Sequence, residues 1–147
     1  IRGNASEILS LAAAGGATKG VDSTRGVEEA REAAIAIAKD SGALVVVTGP
    51  EDFITDGKRR VRLANGHPLM SRVTGTGCVC SALVGAFAAV QPDPLLASIG
   101  ALAVYGIAGE MAAEGDPGPG SFRTRLIDAL DEITPERVRQ QARLVVE

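Results

Sequence analysis

With 147 residues, 46% of them apolar, the chain has the length of one domain and enough material for a buried core. Eighteen acidic residues against 15 basic ones, and an aromatic content of 3%, give neither a basic footprint nor stacking platforms, so nucleic acid is not an expected partner. The two cysteines, Cys78 and Cys80, do not make a disulfide framework and point to a reducing, cytoplasmic setting. The chain starts at Ile1 as though in the middle of something, which reads as a fragment or a processed piece.

In chain order, NASEILSLAAAGG carries apolar residues at helical spacing after an Asn cap. VEEAREAAIAIAKDSG is an amphipathic helix with an acidic start and a closing Gly, and ALVVVTG is a continuous β-branched run of the kind a fully buried strand shows. FITDGKRRVRLA places two alternating runs around Asp56-Gly57, a hairpin signal. Three helical segments follow, near 77–90, 94–114 and 121–131, and a last helix starts at Pro135 after Thr134. The one obvious loop is EGDPGPGS at 114–121. Residues 94–113 have the length of a membrane span. They carry Glu110, are rich in Gly and Ala and lack basic flanks, so they read as a helix buried between protein layers and no membrane is expected. A buried strand bracketed by helices predicts an α/β sheet with helices on both faces.

The chemistry concentrates in VTGTGCVCSALVGAF, residues 73–87. Gly75-Thr76-Gly77 allows a tight turn directly into a helix, whose first amides lack intrahelical partners and carry partial positive charge. Such a turn is an anion hole for a phosphate or a developing oxyanion. Cys78, expected at the first helical position, is the nearest side chain able to take a proton, and a helix start favours the reactive form of a thiol. The same pattern also fits a plain core helix with Cys78 as a small apolar filler. At the other end, Asn4 and Glu7 have the spacing of a capping box. Thr48 ends the apolar strand at the carboxyl edge, where open α/β sheets bind ligands, although a Thr there also simply starts a turn.

The stretches RGNASEI (2–8), KGVDS (19–23), VVVTG (45–49), NGHPLMSRVTGTGC (65–78) and GPGSF (118–122), in this order, resemble hydroxyethylthiazole kinase of the ribokinase-like superfamily. The resemblance is to the C-terminal part of that enzyme, and it implies the corresponding portion of a three-layer α/β/α sandwich, with the N-terminal part outside this chain. It implies ATP-dependent phosphorylation of the alcohol of 4-methyl-5-(2-hydroxyethyl)thiazole in thiamine biosynthesis or salvage. It also implies a homotrimer with active sites between subunits. Most ribokinase relatives carry Asp as the last residue of the Gly-rich turn and the thiazole kinases carry Cys, so Cys78 discriminates most, with a role in deprotonating the substrate hydroxyl.

By the same resemblance Arg2 and Thr48 contact ATP, Gly75 meets the thiazole alcohol through its backbone, and Glu7, supported by Asn4, organises Mg²⁺ and its waters. Asp22 and Asp52 are further possible nucleotide-site groups. Alternatives are a hydroxymethylpyrimidine or pyridoxal kinase, against which Cys78 argues, and a non-catalytic nucleotide-binding fragment. Cys78 and Cys80 lie about 200° apart around a helix and cannot share a metal with His67, which reads as a turn residue. Lys58-Arg59-Arg60 reads as a solvated or edge-protecting run. GGATKG lacks the spacing of a Walker A loop.

Overall fold

A computed structural model describes residues 1–15 and 26–147. KGVDS with Asp22, and most of GGATKG, lie outside the described residues. The elements are β1 (Arg2–Asn4), α1 (Ala5–Ala14), α2 (Gly26–Ser41), β2 (Val45–Thr48), β3 (Asp52–Thr55), β4 (Arg60–Leu63), a 3₁₀ helix (Pro68–Arg72), α3 (Thr76–Val90), α4 (Pro94–Ala112), α5 (Pro119–Glu132), α6 (Pro135–Gln141) and β5 (Leu144–Val146). The expected mixed α/β character is what the structure shows. The five strands lie in the order β1-β2-β3-β4-β5. The chain divides into two compact units, Ile1–Arg62 with Val145–Glu147, and Leu63–Leu144.

In the first unit β2 pairs parallel with β1, setting Asn4 opposite Thr48, and antiparallel with β3. Val45, Val46 and Val47 are all buried, as an uninterrupted β-branched run requires when both faces of a strand are covered. Val45, Val47 and Phe53 form one core with Ile8, Leu9 and Ala12 of α1 and with α2. The buried α2 residues of this core are Ala30, Ala33, Ala34 and Ala38, a small-residue stripe at helical spacing that allows a close approach of helix to sheet.

The turn between β3 and β4 takes four residues, 56–59, around the Asp56-Gly57 signal. Asp56 Oδ1 accepts the amides of Lys58 (2.9 Å) and Arg59 (2.7 Å), while Oδ2 accepts Arg59 Nε at 2.7 Å. These bonds, that of the Arg59 side chain first, pull the Asp56 carboxyl down to about 2. Gly57 has φ +88°, and a Cβ there would sit 2.8 Å from Lys39 Cγ, so glycine is required twice over.

The second unit is built around α4, with α3, α5 and α6 packed against it. By length and composition α4 could cross a membrane, yet 67% of its most apolar window is buried inside the protein. At Gly106 the chain passes so closely that a Cβ would lie 2.7 Å from Asn65 Cβ. Asn65, itself buried, accepts the amide of Arg143 at 2.8 Å and donates to the Gln141 carbonyl at 3.0 Å.

Glu110 completes this tie by accepting the Gly66 amide at 2.8 Å and the Arg143 guanidinium. Burial alone would push the Glu110 carboxyl up; the Arg143 and Gly66 bonds, with Arg143's charge and Asn65, outweigh it and hold it below its ordinary range. The single carboxylate of an otherwise apolar helix is thus a structural anchor. Three elements escape the sequence reading, namely β1, the 3₁₀ helix and β5. Each is five residues or shorter, below the length at which periodicity carries a signal.

Candidate functional site

Two groups of candidate residues form, one in each unit. In the first unit the parallel pairing of β1 with β2 brings their carboxyl ends side by side. Arg2 Nη2 donates to Thr48 Oγ1 at 2.7 Å, and Thr48 Oγ1 donates to the Gly3 carbonyl at 3.3 Å. Arg2 and Thr48, 46 positions apart in sequence, are therefore direct neighbours.

Asn4 and Glu7 make the expected capping box. Asn4 Oδ1 accepts the Glu7 amide at 3.0 Å and Glu7 Oε2 accepts the Asn4 amide at 2.7 Å. Gly3 makes room for this fold-back, since a Cβ on it would lie 3.0 Å from Glu7 Cβ. Glu7 is exposed, and its Oε1 accepts no hydrogen bond from the described residues. Asp52 begins β3 beside this group. It is buried to 9% exposure and accepts the amide of Gly49 at 3.0 Å, pinning the turn that follows Thr48. Desolvation lifts its carboxyl to about 6, against the opposing pull of the Gly49 amide and the charge of Arg2.

In the second unit the 3₁₀ helix starts from His67, whose Nδ1 accepts the Leu69 amide at 3.2 Å, so His67 is the turn residue it was read to be. Gly75 takes φ +98°, a left-handed conformation open to glycine, and swings the chain into α3. Helix α3 begins at Thr76, which makes Cys78 its third residue rather than its first. The physical reason lies in Thr76. Its Oγ1 donates to the carbonyls of Met70 (2.8 Å) and Val73 (3.0 Å), tying the start of the helix to the segment before it. The Thr76 hydroxyl therefore shapes the turn and is committed to backbone oxygens.

Tyr105 Oη donates to the Thr76 carbonyl at 2.8 Å and holds this first turn against α4. Sequence reasoning missed that support, although Tyr105 is the chain's single tyrosine and sits in a helix of aliphatic residues. Cys78 is exposed and Cys80 buried, as their angular separation requires. The arrangement is an exposed thiol in the first turn of a helix entered through a left-handed glycine. Among the described residues no three His, Cys, Asp or Glu side chains gather to hold a metal.

An α/β chain with ligand candidates at the carboxyl ends of parallel strands, and a glycine turn opening a helix, is built as small-molecule and nucleotide enzymes are. The model of the hydroxyethylthiazole kinase family matches residues 1–136. The chain belongs to this family. It is 55% identical over 144 residues to a hydroxyethylthiazole kinase of Cereibacter sphaeroides, covering 98% of this chain and 55% of that protein. It is 50% identical over 146 residues to one of Granulibacter bethesdensis, covering 99% of this chain and 53% of that protein.

Among solved structures, the hydroxyethylthiazole kinase protein of Pyrococcus horikoshii OT3 superposes with a TM-score of 0.88 at 40% identity, over 99% of this chain and 54% of that one. The chain thus spans about half the length of the curated relatives it matches.

Proposed function

We propose that the chain is the C-terminal part of a ribokinase-like kinase domain that transfers the terminal phosphoryl group of ATP to the hydroxyl of 4-methyl-5-(2-hydroxyethyl)thiazole. The setting is the cytoplasm, in thiamine biosynthesis or salvage, and the assembly is a homotrimer. The observation that carries this reading is the 2.7 Å contact between Arg2 and Thr48 at the paired carboxyl ends of β1 and β2. It supports a nucleotide site in which Thr48 orients the planar guanidinium and Arg2 meets the phosphate oxygens.

Mg²⁺ fits the residues present. Glu7 leaves one carboxylate oxygen outward while Asn4 fixes the other through the capping box, and a hard cation that keeps most of its waters needs only one or two such carboxylates. When bound it supplies charge neutralisation on the phosphates. The start of α3, residues 75–78, holds the transferring group by its amides, with Gly75 also meeting the substrate alcohol through its backbone. Cys78 takes the proton of the substrate hydroxyl as the oxygen attacks the terminal phosphorus. The bond to the bridging oxygen breaks and ADP leaves. Positioning and electrostatics supply most of the rate in transfers of this type.

Calorimetric titration with ATP and Mg²⁺ tests the nucleotide part of the reading on the 147-residue chain. Arg2→Ala is expected to weaken binding about tenfold or more, and Thr48→Ala less, in line with charge-assisted against neutral hydrogen bonds. Binding that is indifferent to both substitutions refutes it. Turnover by this chain alone is expected to be slow, because part of the substrate pocket lies outside it.

A further inference from the structure

Helix α3 is built like an interior helix and is largely exposed. Its 15 residues contain no charged side chain, and Cys80 alone among them is buried. Leu83, Val84 and Phe87, one turn and two turns on, are half-buried, and Phe87 lies where a Cβ on Gly100 of α4 would come within 3.0 Å. That face is seated on α4. The opposite face, Val79, Ala82, Ala86 and Val90, recurs at helical spacing and is exposed, Val90 to 83%. A helix that is apolar all round belongs inside a protein or a membrane, and at 15 residues, about 22 Å, α3 falls short of the hydrocarbon thickness of a bilayer. An interior place with a layer on each side is what remains.

The relatives carry a segment long enough to supply a second layer. The Cereibacter sphaeroides relative carries 45% of its length beyond the 55% matched here, and the matched half superposes on a solved relative of which it covers 54%. A separate observation in the first unit points the same way. Among the described residues β1 stands at the end of the strand order with one neighbour, β2, although parallel strands are as a rule enclosed within their sheets. We infer that the outward apolar face of α3, centred on Val79, Ala82, Ala86 and Val90, is the docking face for the polypeptide segment that the relatives carry beyond the region matched by this chain. The inference rests on the reading of the chain as part of a longer kinase domain. Ala82, Gly85, Ala86 and Ala89 keep the face low, so that the incoming backbone can approach closely.

The test is co-expression of the tagged 147-residue chain with the unmatched segment of the Cereibacter sphaeroides relative, followed by affinity capture and measurement of the complex mass. The expected result is a one-to-one complex. Ala82→Glu with Ala86→Glu is expected to lower capture more than tenfold while the circular dichroism melt of the chain stays unchanged, both sites being exposed. Ile127→Glu, on the exposed side of α5, is expected to leave capture intact.

Failure to form the complex overturns the inference, as does capture that survives the double substitution. Self-association of the chain that the double substitution abolishes also overturns it, since a second copy would then be the occupant. Phosphorylation of the thiazole alcohol is read separately. A complex that forms through α3 but phosphorylates nothing refutes the functional reading and leaves the docking face standing.

Discussion

Asp52→Asn is expected to stabilise the chain at neutral pH. Asp52 is buried, and its carboxyl is lifted from 3.8 to about 6 in the folded protein, desolvation outweighing the Gly49 amide and the Arg2 charge. A folded-state value above the unfolded one means that ionisation costs stability, and the cost is in full force above pH 6 and relieved as pH falls toward 3.8. Each pH unit between the folded and unfolded values is worth about 1.4 kcal/mol, so the cost amounts to about 3 kcal/mol at pH 7 and falls well below about 1 kcal/mol at pH 4. Asparagine retains an oxygen to accept the Gly49 amide and removes the charge. Urea denaturation of both proteins at pH 7.5 and pH 4 measures the difference, with the m-values checked for equality. A variant less stable than the parent at neutral pH refutes the reasoning, as does a gap that stays constant between the two pH values.

Glu110→Gln is expected to behave with the opposite sign. The Glu110 carboxyl is held below its ordinary range, so its contribution is present at neutral pH and lost under acid, and the variant should be less stable at pH 7 with the gap closing as pH falls below the unfolded value of 4.5 in the same titration. Glu7→Gln is expected to leave the melting temperature within a degree or two, since Gln still serves the capping box, and to raise the Mg²⁺ concentration needed for half-maximal ATP binding. A sharp fall in melting temperature with unchanged Mg²⁺ dependence would assign Glu7 to capping alone. Cys78→Ala is expected to slow phosphoryl transfer on the active assembly by about 10²-fold or more without abolishing it, and Cys78→Asp to retain turnover; full activity of the Ala variant with the parent's pH profile would make the thiol a packing residue. Gly106→Ala forces a methyl to within 2.7 Å of Asn65 Cβ and is expected to cost about 1–3 kcal/mol in thermal or urea unfolding.

Sequence by itself determined the elements long enough to carry a period. The alanine stripe of α2 and the valine run of β2 specify their own burial, because one needs a close sheet and the other needs cover on both faces. The cap of α1 was equally legible, since Asn4 and Glu7 satisfy each other across a single turn, and so was the glycine at 75 that opens α3. Local bonds of this kind depend on neighbours in the chain, and the chain order displays them.

Contacts between remote segments were decided by the tertiary structure alone. Nothing local announces that Arg2 donates to Thr48, that Asp52 loses its water beside Arg2, or that Tyr105 holds the carbonyl of Thr76. Glu110, read in sequence only as a sign against a membrane span, became the acceptor of Gly66 and Arg143 once the fold brought them together. Burial and charge pairing depend on which segments meet, and three-residue strands such as β1 and β5 exist because hydrogen-bonding neighbours were provided for them, their own residues being too few to demand a strand.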